Sequence, residues 1–127
     1  MRSAASSESA IIGPQSAIST AVRKRVKRAM WERVGILRDE RSLQRAISEF
    51  EQIGRANLPI SSRNFVTLAL LVARAALCRE ESRGGHFRSD FPEQRDGWRA
   101  HSVQKFGEPV ASARQIDFSK DSANAAM

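Results

Sequence analysis

Three residue types that make up hydrolytic triads stand four positions apart in this sequence, at Ser82, His86 and Asp90. On one continuous helix, this spacing would bring a hydroxyl, an imidazole and a carboxylate to the same face. The glycine pair Gly84-Gly85 and the later Pro92 break such a helix, and no oxyanion-hole loop is recognisable. The spacing therefore does not predict a self-contained hydrolase.

Glu81, His86 and Asp90 are also residue types that bind metal ions, but mixed ligands at irregular spacing are weak evidence for a metal site. With one cysteine, Cys78, and two histidines, the chain cannot complete an all-Cys or a Cys/His zinc site. Gly84-Gly85 lacks the spacing of a phosphate-binding loop and follows no predicted strand. We favour a cluster of ion pairs here, and we predict no catalytic, cofactor-binding or metal-binding residue in this chain.

Five basic residues occupy the six positions from Arg23 to Arg28, in a chain of 127 residues with a net charge of +7. Such a run could be an electrostatic footprint for nucleic acid. The alternative is a solvated helix face, because Val26 would point inward and no aromatic residue interleaves the cations to stack on bases. The apolar run 65–78 contains Thr67 and Arg74, and it is shorter than the roughly 18–20 residues of a membrane span. It predicts a buried helix rather than a membrane span.

The elements that position these side chains are helices, because apolar residues recur at steps of three and four. The pattern predicts an all-α fold, an up-down-up three-helix bundle with helices over about 17–36, 41–56 and 62–83. Asp39 or Ser42 is expected to cap the second helix, and Ser61-Ser62 the third. The residues expected in the core are Ile18, Val22, Val26, Ala29, Met30, Val34, Leu37, Leu43, Ala46, Ile47, Phe50, Ile53, Phe65, Leu68, Val72, Ala76 and Leu77.

The predicted third helix is apolar on nearly every side, where one apolar face would suffice at the edge of a bundle. This composition indicates a partner surface outside the three helices. The alternative is that the chain after Gly85 folds back over the helix as a cover.

Composition divides the chain into four parts. Residues 1–16 are expected to be a disordered linker, 17–83 the bundle, 84–108 an ordered arm that packs by its aromatic residues, and 109–127 a disordered tail. The single cysteine and an N-terminus without the continuous apolar segment of a signal peptide predict a cytoplasmic location.

The segment from Glu81 to Pro92 carries a family resemblance that composition could not supply. It reads Glu-Ser-Arg-Gly, one small residue, His86, then Arg88, Asp90 and an aromatic-Pro pair. This pattern is similar to the C-terminal helical domain of the succinate dehydrogenase/fumarate reductase flavoprotein family, with Gly85 as an unusual filler. Further matches, which extend the resemblance over about residues 20–108, are Arg63-Asn64, Ala73-Arg74-Ala75-Ala76 and Trp98 followed by His101.

Within that family, the segment 30–38 most resembles the L-aspartate oxidases, where a Met-Trp pair precedes Val-Gly-Ile and an arginine. The resemblance implies a cytoplasmic FAD enzyme that oxidises L-aspartate to iminoaspartate in NAD biosynthesis, with oxygen or fumarate as electron acceptor. The flavin-binding and substrate-capping motifs of the family are not in this chain. The chain would then be a C-terminal fragment that arises from a truncation or from a reading frame started at an internal Met. On its own it is expected to be inactive and to bind no FAD.

In the intact enzyme, the resemblance implies docking on the FAD-binding and capping domains. The motif assigned to this domain interface consists of Glu81, Ser82, Arg83, His86, Arg88 and Asp90, and Arg83 and Arg88 are expected to donate across it. A direct contact of His86 or Arg88 with flavin or substrate is the alternative for these two residues. The alternative for the whole chain is a stand-alone basic helical module that binds nucleic acid or a protein partner. In the interpretation we favour, the chain has no specific nucleic-acid partner.

Overall fold

Three helices form the body of the molecule in the computed structural model, which describes residues 14–112. They are α1 (Pro14–Arg33), α2 (Glu40–Gly54) and α3 (Ile60–Cys78). The mainly helical fold predicted from the spacing is confirmed. The disorder expected of residues 1–13 and 113–127 lies outside the described residues.

The arm that follows α3 contains short paired strands. β1 (Leu37–Arg38) lies between α1 and α2 and pairs in parallel with β2 (Phe87–Arg88). A 3-10 turn at Asp96–Trp98 precedes β3 (Ser102–Val103), which pairs antiparallel with β4 (Ala111–Ser112). Because β4 lies beyond residue 108, ordered structure extends into the segment that composition assigned to a disordered tail.

The helix boundaries differ from the predicted ones at several ends. α1 begins at Pro14, inside the predicted linker, since proline is well suited to the first helical position. The chain leaves this helix at Gly35, where a Cβ atom would lie 2.5 Å from the Trp31 carbonyl oxygen. Only glycine permits this close approach. α3 ends at Cys78 and not at 83, because Arg88 binds the carbonyl groups at its C-terminus.

One of the two predicted caps is present. The Asp39 carboxylate accepts a hydrogen bond from the Ser42 backbone N–H at 2.9 Å and so caps α2. α3 instead begins after Pro59 without a side-chain cap. Ser62, expected as a cap, is buried and donates to the Ser19 hydroxyl at 2.9 Å.

The core lies between the three helices, with α2 contributing the residues predicted for it. On α3, Ala76 is buried as predicted, but Val66, Ala69 and Ala73 are buried more deeply than their predicted neighbours, because small alanines allow the helices to approach closely. Four residues expected in the core are exposed, namely Ile18 on α1, Leu37 on β1, and Leu68 and Val72 on α3. The buried apolar residues are Val26, Ala29, Val34, Leu43, Ala46, Phe50, Ile53, Leu58, Val66, Ala69, Ala73 and Ala76.

α3 meets the length and composition criteria for a membrane span, with 19 residues. A core helix meets the same criteria, and the buried face of α3 packs against the other two helices.

Candidate functional site

The charged turn, residues 79–95, folds back on itself directly after α3. Arg83 and His86 exchange backbone hydrogen bonds of 2.8 and 3.0 Å across Gly84-Gly85. Gly84 has a φ of +58°, the left-handed value that the first central residue of a type II′ turn requires. The base of the turn is closed by Ser82, whose N–H donates to the Glu93 carbonyl at 3.1 Å.

Arg88 is buried, with 1% of its surface exposed, and it caps the C-terminus of α3. Its Nη1 donates to the carbonyl oxygens of Ala76, Leu77 and Arg79 at 3.2, 2.9 and 3.3 Å. These carbonyls lie where the negative end of a helix dipole attracts a cation. The helix therefore stops at Cys78, because Arg88 binds the carbonyl groups that continued helix would use.

Asp90 connects that cation to the start of another helix. It accepts two hydrogen bonds from Arg88, from Nε and Nη2, each 2.7 Å long, and a third from the backbone N–H of Glu40 at 3.0 Å. These contacts, led by the hydrogen bond with Arg88, lower the pKa of Asp90 to about 2. One ion pair thus joins the C-terminus of α3 to the N-terminus of α2.

Glu81 has no exposed surface and lies among arginines. Its carboxylate accepts from Nε of Arg83 at 3.0 Å, from Nε of Arg79 at 2.9 Å and from the Arg95 backbone N–H at 2.9 Å. The hydrogen bond with Arg83 contributes most to lowering the pKa of Glu81 to about 2, against the opposing effect of burial. Glu81 is therefore a buried anion whose partners come from both ends of the turn.

His86 is held by two hydrogen bonds that define its tautomer. Nη1 of Arg38 lies 2.6 Å from Nδ1, and the Arg79 carbonyl oxygen lies 3.1 Å from Nε2. Since a guanidinium can only donate, Nδ1 accepts and the proton is on Nε2. Burial lowers the pKa of His86, and the charge of Arg38 lowers it further. His86 is thus a neutral bridge between the α1–α2 connection and the charged turn.

Arg38 and Arg79 are central to this arrangement, although the sequence patterns predicted no role for them. Arg38 also donates to the Val34 carbonyl at 2.9 Å. Arg79 donates to the carbonyl oxygens of Trp98 and Ala100 at 2.6 and 3.1 Å, which holds the arm. The only sequence signal was their position, one in the segment 30–38 and the other beside the family motif.

The residues considered for a triad or a metal site bind other partners. Ser82 Oγ lies 2.8 Å from the Phe91 carbonyl oxygen and accepts from the Arg88 N–H, while His86 and Asp90 have the partners given above. No group of three or more His, Cys, Asp or Glu residues within 14–112 could hold a metal ion. The expected donation of Arg88 across an interface needs correction, since its guanidinium is bound inside the chain.

The second notable surface is an apolar groove of about 420 Å³ between α1 and α3. Trp31, Leu68 and Val72 remain 79%, 58% and 39% exposed there. No residue of the arm lines the groove, so the chain from Gly85 to Ser112 does not cover this face of α3. The lining residues are Val26, Lys27, Met30, Trp31, Val34, Gly35, Phe65, Leu68, Ala69 and Val72.

The basic run of α1 is an exposed face with ion pairs. Arg25 pairs with Glu49 on α2 at 2.8 Å, and Arg28 pairs with Glu32 at 2.9 Å. Val26 is fully buried, as the helical spacing predicted.

The described residues do not fit a flavin dinucleotide. Such cofactors bind at the end of a βαβ unit, where a glycine-rich turn leads into a helix. The strands within 14–112 are two residues long, and the one parallel pair joins a helix connection to the charged turn. No step of flavin chemistry can be assigned to these residues.

The charged turn and its neighbours match a known protein family. Residues 57–123 match the family described as fumarate reductase flavoprotein C-term. The match includes α3, the charged turn and the arm.

Curated relatives include proteins of several activities. A subunit of the fumarate reductase (CoM/CoB) of Methanothermobacter marburgensis is 37% identical over 61% of this chain and 17% of the relative. An L-aspartate oxidase of Rhodospirillum rubrum is 39% identical over 62% of this chain and 28% of the relative. An uncharacterised FAD-dependent oxidoreductase of Methanocaldococcus jannaschii is 35% identical over 63% of this chain and 17% of the relative. The chain thus spans less than a third of each of these proteins.

Solved structures of the Sdh1 complex of Mycobacterium smegmatis contain a similar fold. The structure with UQ1 aligns with a TM-score of 0.62 and 26% identity, over 80% of this chain and 21% of the matched chain.

Proposed function

Because the chain belongs to the fumarate reductase flavoprotein C-terminal family, whose members are domains of FAD-dependent flavoproteins, we propose that it is the docking and stabilising domain of an L-aspartate oxidase. The whole enzyme would oxidise L-aspartate to iminoaspartate with FAD, in NAD biosynthesis in the cytoplasm. The FAD-binding and capping domains would supply the catalytic residues, and this domain would supply none.

The observation that carries the docking role is the apolar groove. A tryptophan exposed to 79% beside two exposed aliphatic residues is costly to leave in water and is typical of a protein-binding surface. We assign the occupant as the FAD-binding part of the same enzyme. The family description places this domain at the C-terminus of a flavoprotein, and the relatives are several times longer than the chain.

The choice of L-aspartate oxidase is supported by the segment 30–38. Its Trp31, part of the Met-Trp pair on which the resemblance to that branch depends, lies on the groove. Several relatives with 30–39% identity are L-aspartate oxidases. The feature typical of the branch would therefore be on the surface that meets the rest of the enzyme.

The interface motif has an indirect role in this proposal. Glu81, Ser82 and Arg88 are buried inside the chain, where they join α2, α3 and the arm. They would present the half-buried Arg83 and His86 in a fixed geometry beside the docked domains. Their loss would therefore lower stability before it lowered turnover.

The test is to restore an L-aspartate oxidase that lacks its C-terminal domain. Residues 14–112 are fused in place of that domain, and soluble yield, FAD per protein and aspartate-dependent peroxide are measured. We expect a folded flavoprotein that oxidises L-aspartate. The hybrid with Trp31→Gln should lose most of its FAD, whereas Phe106→Gln, which changes an aromatic residue of 78% exposure outside the groove, should not.

Equal behaviour of these two variants would contradict docking through the groove. A folded hybrid that retains FAD but does not oxidise L-aspartate would contradict the choice of branch. The isolated chain should neither retain FAD nor produce peroxide, and yellow colour after gel filtration would contradict the proposed division of roles.

A further inference from the structure

A series of hydrogen bonds connects the charged turn to the apolar groove. In the turn, Nδ1 of His86 accepts from Nη1 of Arg38, and the two atoms lie 2.6 Å apart. Nε of the same arginine donates to the carbonyl oxygens of Val34 and Gly35 at 2.9 and 3.0 Å. Val34 and Gly35 both line the groove. The guanidinium of Arg38 therefore contacts the imidazole on one side and the groove wall on the other.

The backbone reinforces this connection. β1 pairs with β2 so that Arg38 lies opposite Arg88, and the N–H of Ser89 donates to the Arg38 carbonyl at 2.8 Å. Because the Arg38 side chain is half-buried and bonded in both directions, a displacement of its guanidinium would disturb the bonds to the groove wall. A change at the His86 ring is thus transmitted to the groove.

The contact requires a neutral imidazole, because Nδ1 must accept. A protonated ring would direct an N–H toward Nη1 of Arg38, and two donors cannot bond to each other. Within the described chain, no carboxylate accepts from either ring nitrogen, and the neighbouring Glu81 and Asp90 are already bonded to arginines. Three cations face the ring, namely Arg38 on β1, Arg79 after α3 and Arg88 on β2.

We propose that the contact between Arg38 and His86, which we call the histidine link, is an acid-sensitive device that sets the shape of the apolar groove. At neutral pH the link is closed and holds Val34 and Gly35 in place. Protonation of His86 opens the link and displaces Arg38, which loosens the chain where it leaves α1 and lines the groove. Docking would then weaken as the pH falls. This last step rests on the proposed function, whereas the link itself does not.

The surroundings of His86 set the direction of the change. Burial contributes most to lowering the pKa of His86 below its ordinary value of 6.5. The hydrogen bond with the Arg79 carbonyl opposes this effect, and the charge of Arg38 lowers the pKa further. Because folding favours the neutral ring, the link is intact above about pH 6.5 and is lost as the pH falls through the lowered pKa.

A pH titration of the full chain by NMR tests the proposal, with the His86 ring and the backbone amides of Gly35 and Arg38 followed together. We expect the ring and both amides to change with one midpoint, below pH 6.5. His86→Gln should abolish the amide changes, because it removes the group that titrates. His101→Gln is the matched control, since it removes the other of the two histidines, an exposed one in the arm, and should leave the amide changes as they are.

A Gly35 amide that does not follow the His86 midpoint in the unmodified chain would overturn the proposal, and this result needs no variant to fold. Amide changes that persist in His86→Gln would overturn it as well.

The effect on docking is measured in the hybrid enzyme. FAD per protein should fall as the pH is lowered through the His86 midpoint, and it should fall less in the His86→Gln hybrid. Equal falls would overturn the step from groove shape to docking. A hybrid that binds no FAD at any pH would contradict the proposed function instead, and the titration of the chain still decides whether the link exists.

Discussion

The charged turn and the apolar groove differ in the side chains they contain and in how far those side chains are exposed to solvent. In the turn, Glu81 and Arg88 are buried with charged partners, and no buried side-chain N or O atom within 14–112 lacks a hydrogen bond. In the groove, large apolar side chains are exposed and nothing within the described chain covers them. The first region therefore holds the domain together, and the second faces outward.

This contrast determines where substitutions should act. Removing one partner of a buried ion pair leaves the other without solvent or counter-charge, which is strongly destabilising. Removing an apolar side chain that already contacts water changes folding little but removes binding energy. In the isolated chain, substitutions in the charged turn should therefore lower the free energy of unfolding much more than substitutions in the groove.

The largest effect is expected from Arg88→Ala. It removes the donor of the carbonyl groups at the C-terminus of α3 and the cation that Asp90 binds, so the free energy of unfolding should fall by about 3 kcal/mol. Urea unfolding followed by circular dichroism measures this change. Arg28→Ala, which removes an arginine whose side chain is 78% exposed, should leave the unfolding midpoint nearly unchanged. Similar losses in the two variants would refute the capping role of Arg88.

The next effect concerns Glu81 and acid. Because folding lowers the pKa of Glu81 and of Asp90 to about 2, their contribution is present at neutral pH and is lost as pH falls from about 4.5 toward 2. Glu81→Gln should lower the free energy of unfolding at pH 7 by about 1–3 kcal/mol and flatten its acid dependence. Urea unfolding at a series of pH values measures both changes. The adjacent, half-exposed Glu80 provides the control, since Glu80→Gln should lower the free energy of unfolding at pH 7 far less than Glu81→Gln does.

A smaller effect is expected at the tip of the turn. Gly84→Ala places a Cβ at a φ of +58° and should lower the free energy of unfolding by about 1 kcal/mol, although no atom obstructs it. Gly85→Ala has open space and no positive φ, so it should be nearly neutral. Thermal unfolding of the two variants compares them directly. Equal midpoints would show that the turn is not held in this conformation.

The smallest effect on folding is expected in the groove. Trp31→Gln in the isolated chain should change the free energy of unfolding by less than about 0.5 kcal/mol, because the side chain is already in contact with water. The same substitution in the hybrid enzyme is expected to have a large effect. A strongly destabilised isolated variant would place Trp31 in the core and contradict the comparison between the two regions.

The spacing of apolar residues predicted the three helices because burial of one face dominates their formation. Leu43, Ala46 and Phe50 illustrate this, with no exposed surface on α2. α3 was harder, because a helix that is apolar all round does not reveal which face is buried. Val66 and Ala73 are buried on α3, whereas Leu68 and Val72 are exposed. Which of these residues are buried depends on how closely α2 can approach α3.

The site was predictable in composition but not in geometry. The resemblance identified Glu81, Ser82, Arg83, His86, Arg88 and Asp90 as a unit, and the structure places them in one turn. The resemblance could not show that Arg88 binds the C-terminus of α3, which ends ten residues before it at Cys78, because that contact is made in three dimensions. Arg38 was missed for the same reason, as its partner His86 is 48 residues away in sequence.

The parallel pairing of β1 with β2 also has a kinetic consequence. It joins Leu37 to Phe87 across two helices, and closing so long a loop is entropically costly until α2 and α3 have packed. The turn should thus be absent from the folding transition state. Gly84→Ala would then speed unfolding and leave the folding rate nearly unchanged, which the two arms of a chevron plot would reveal.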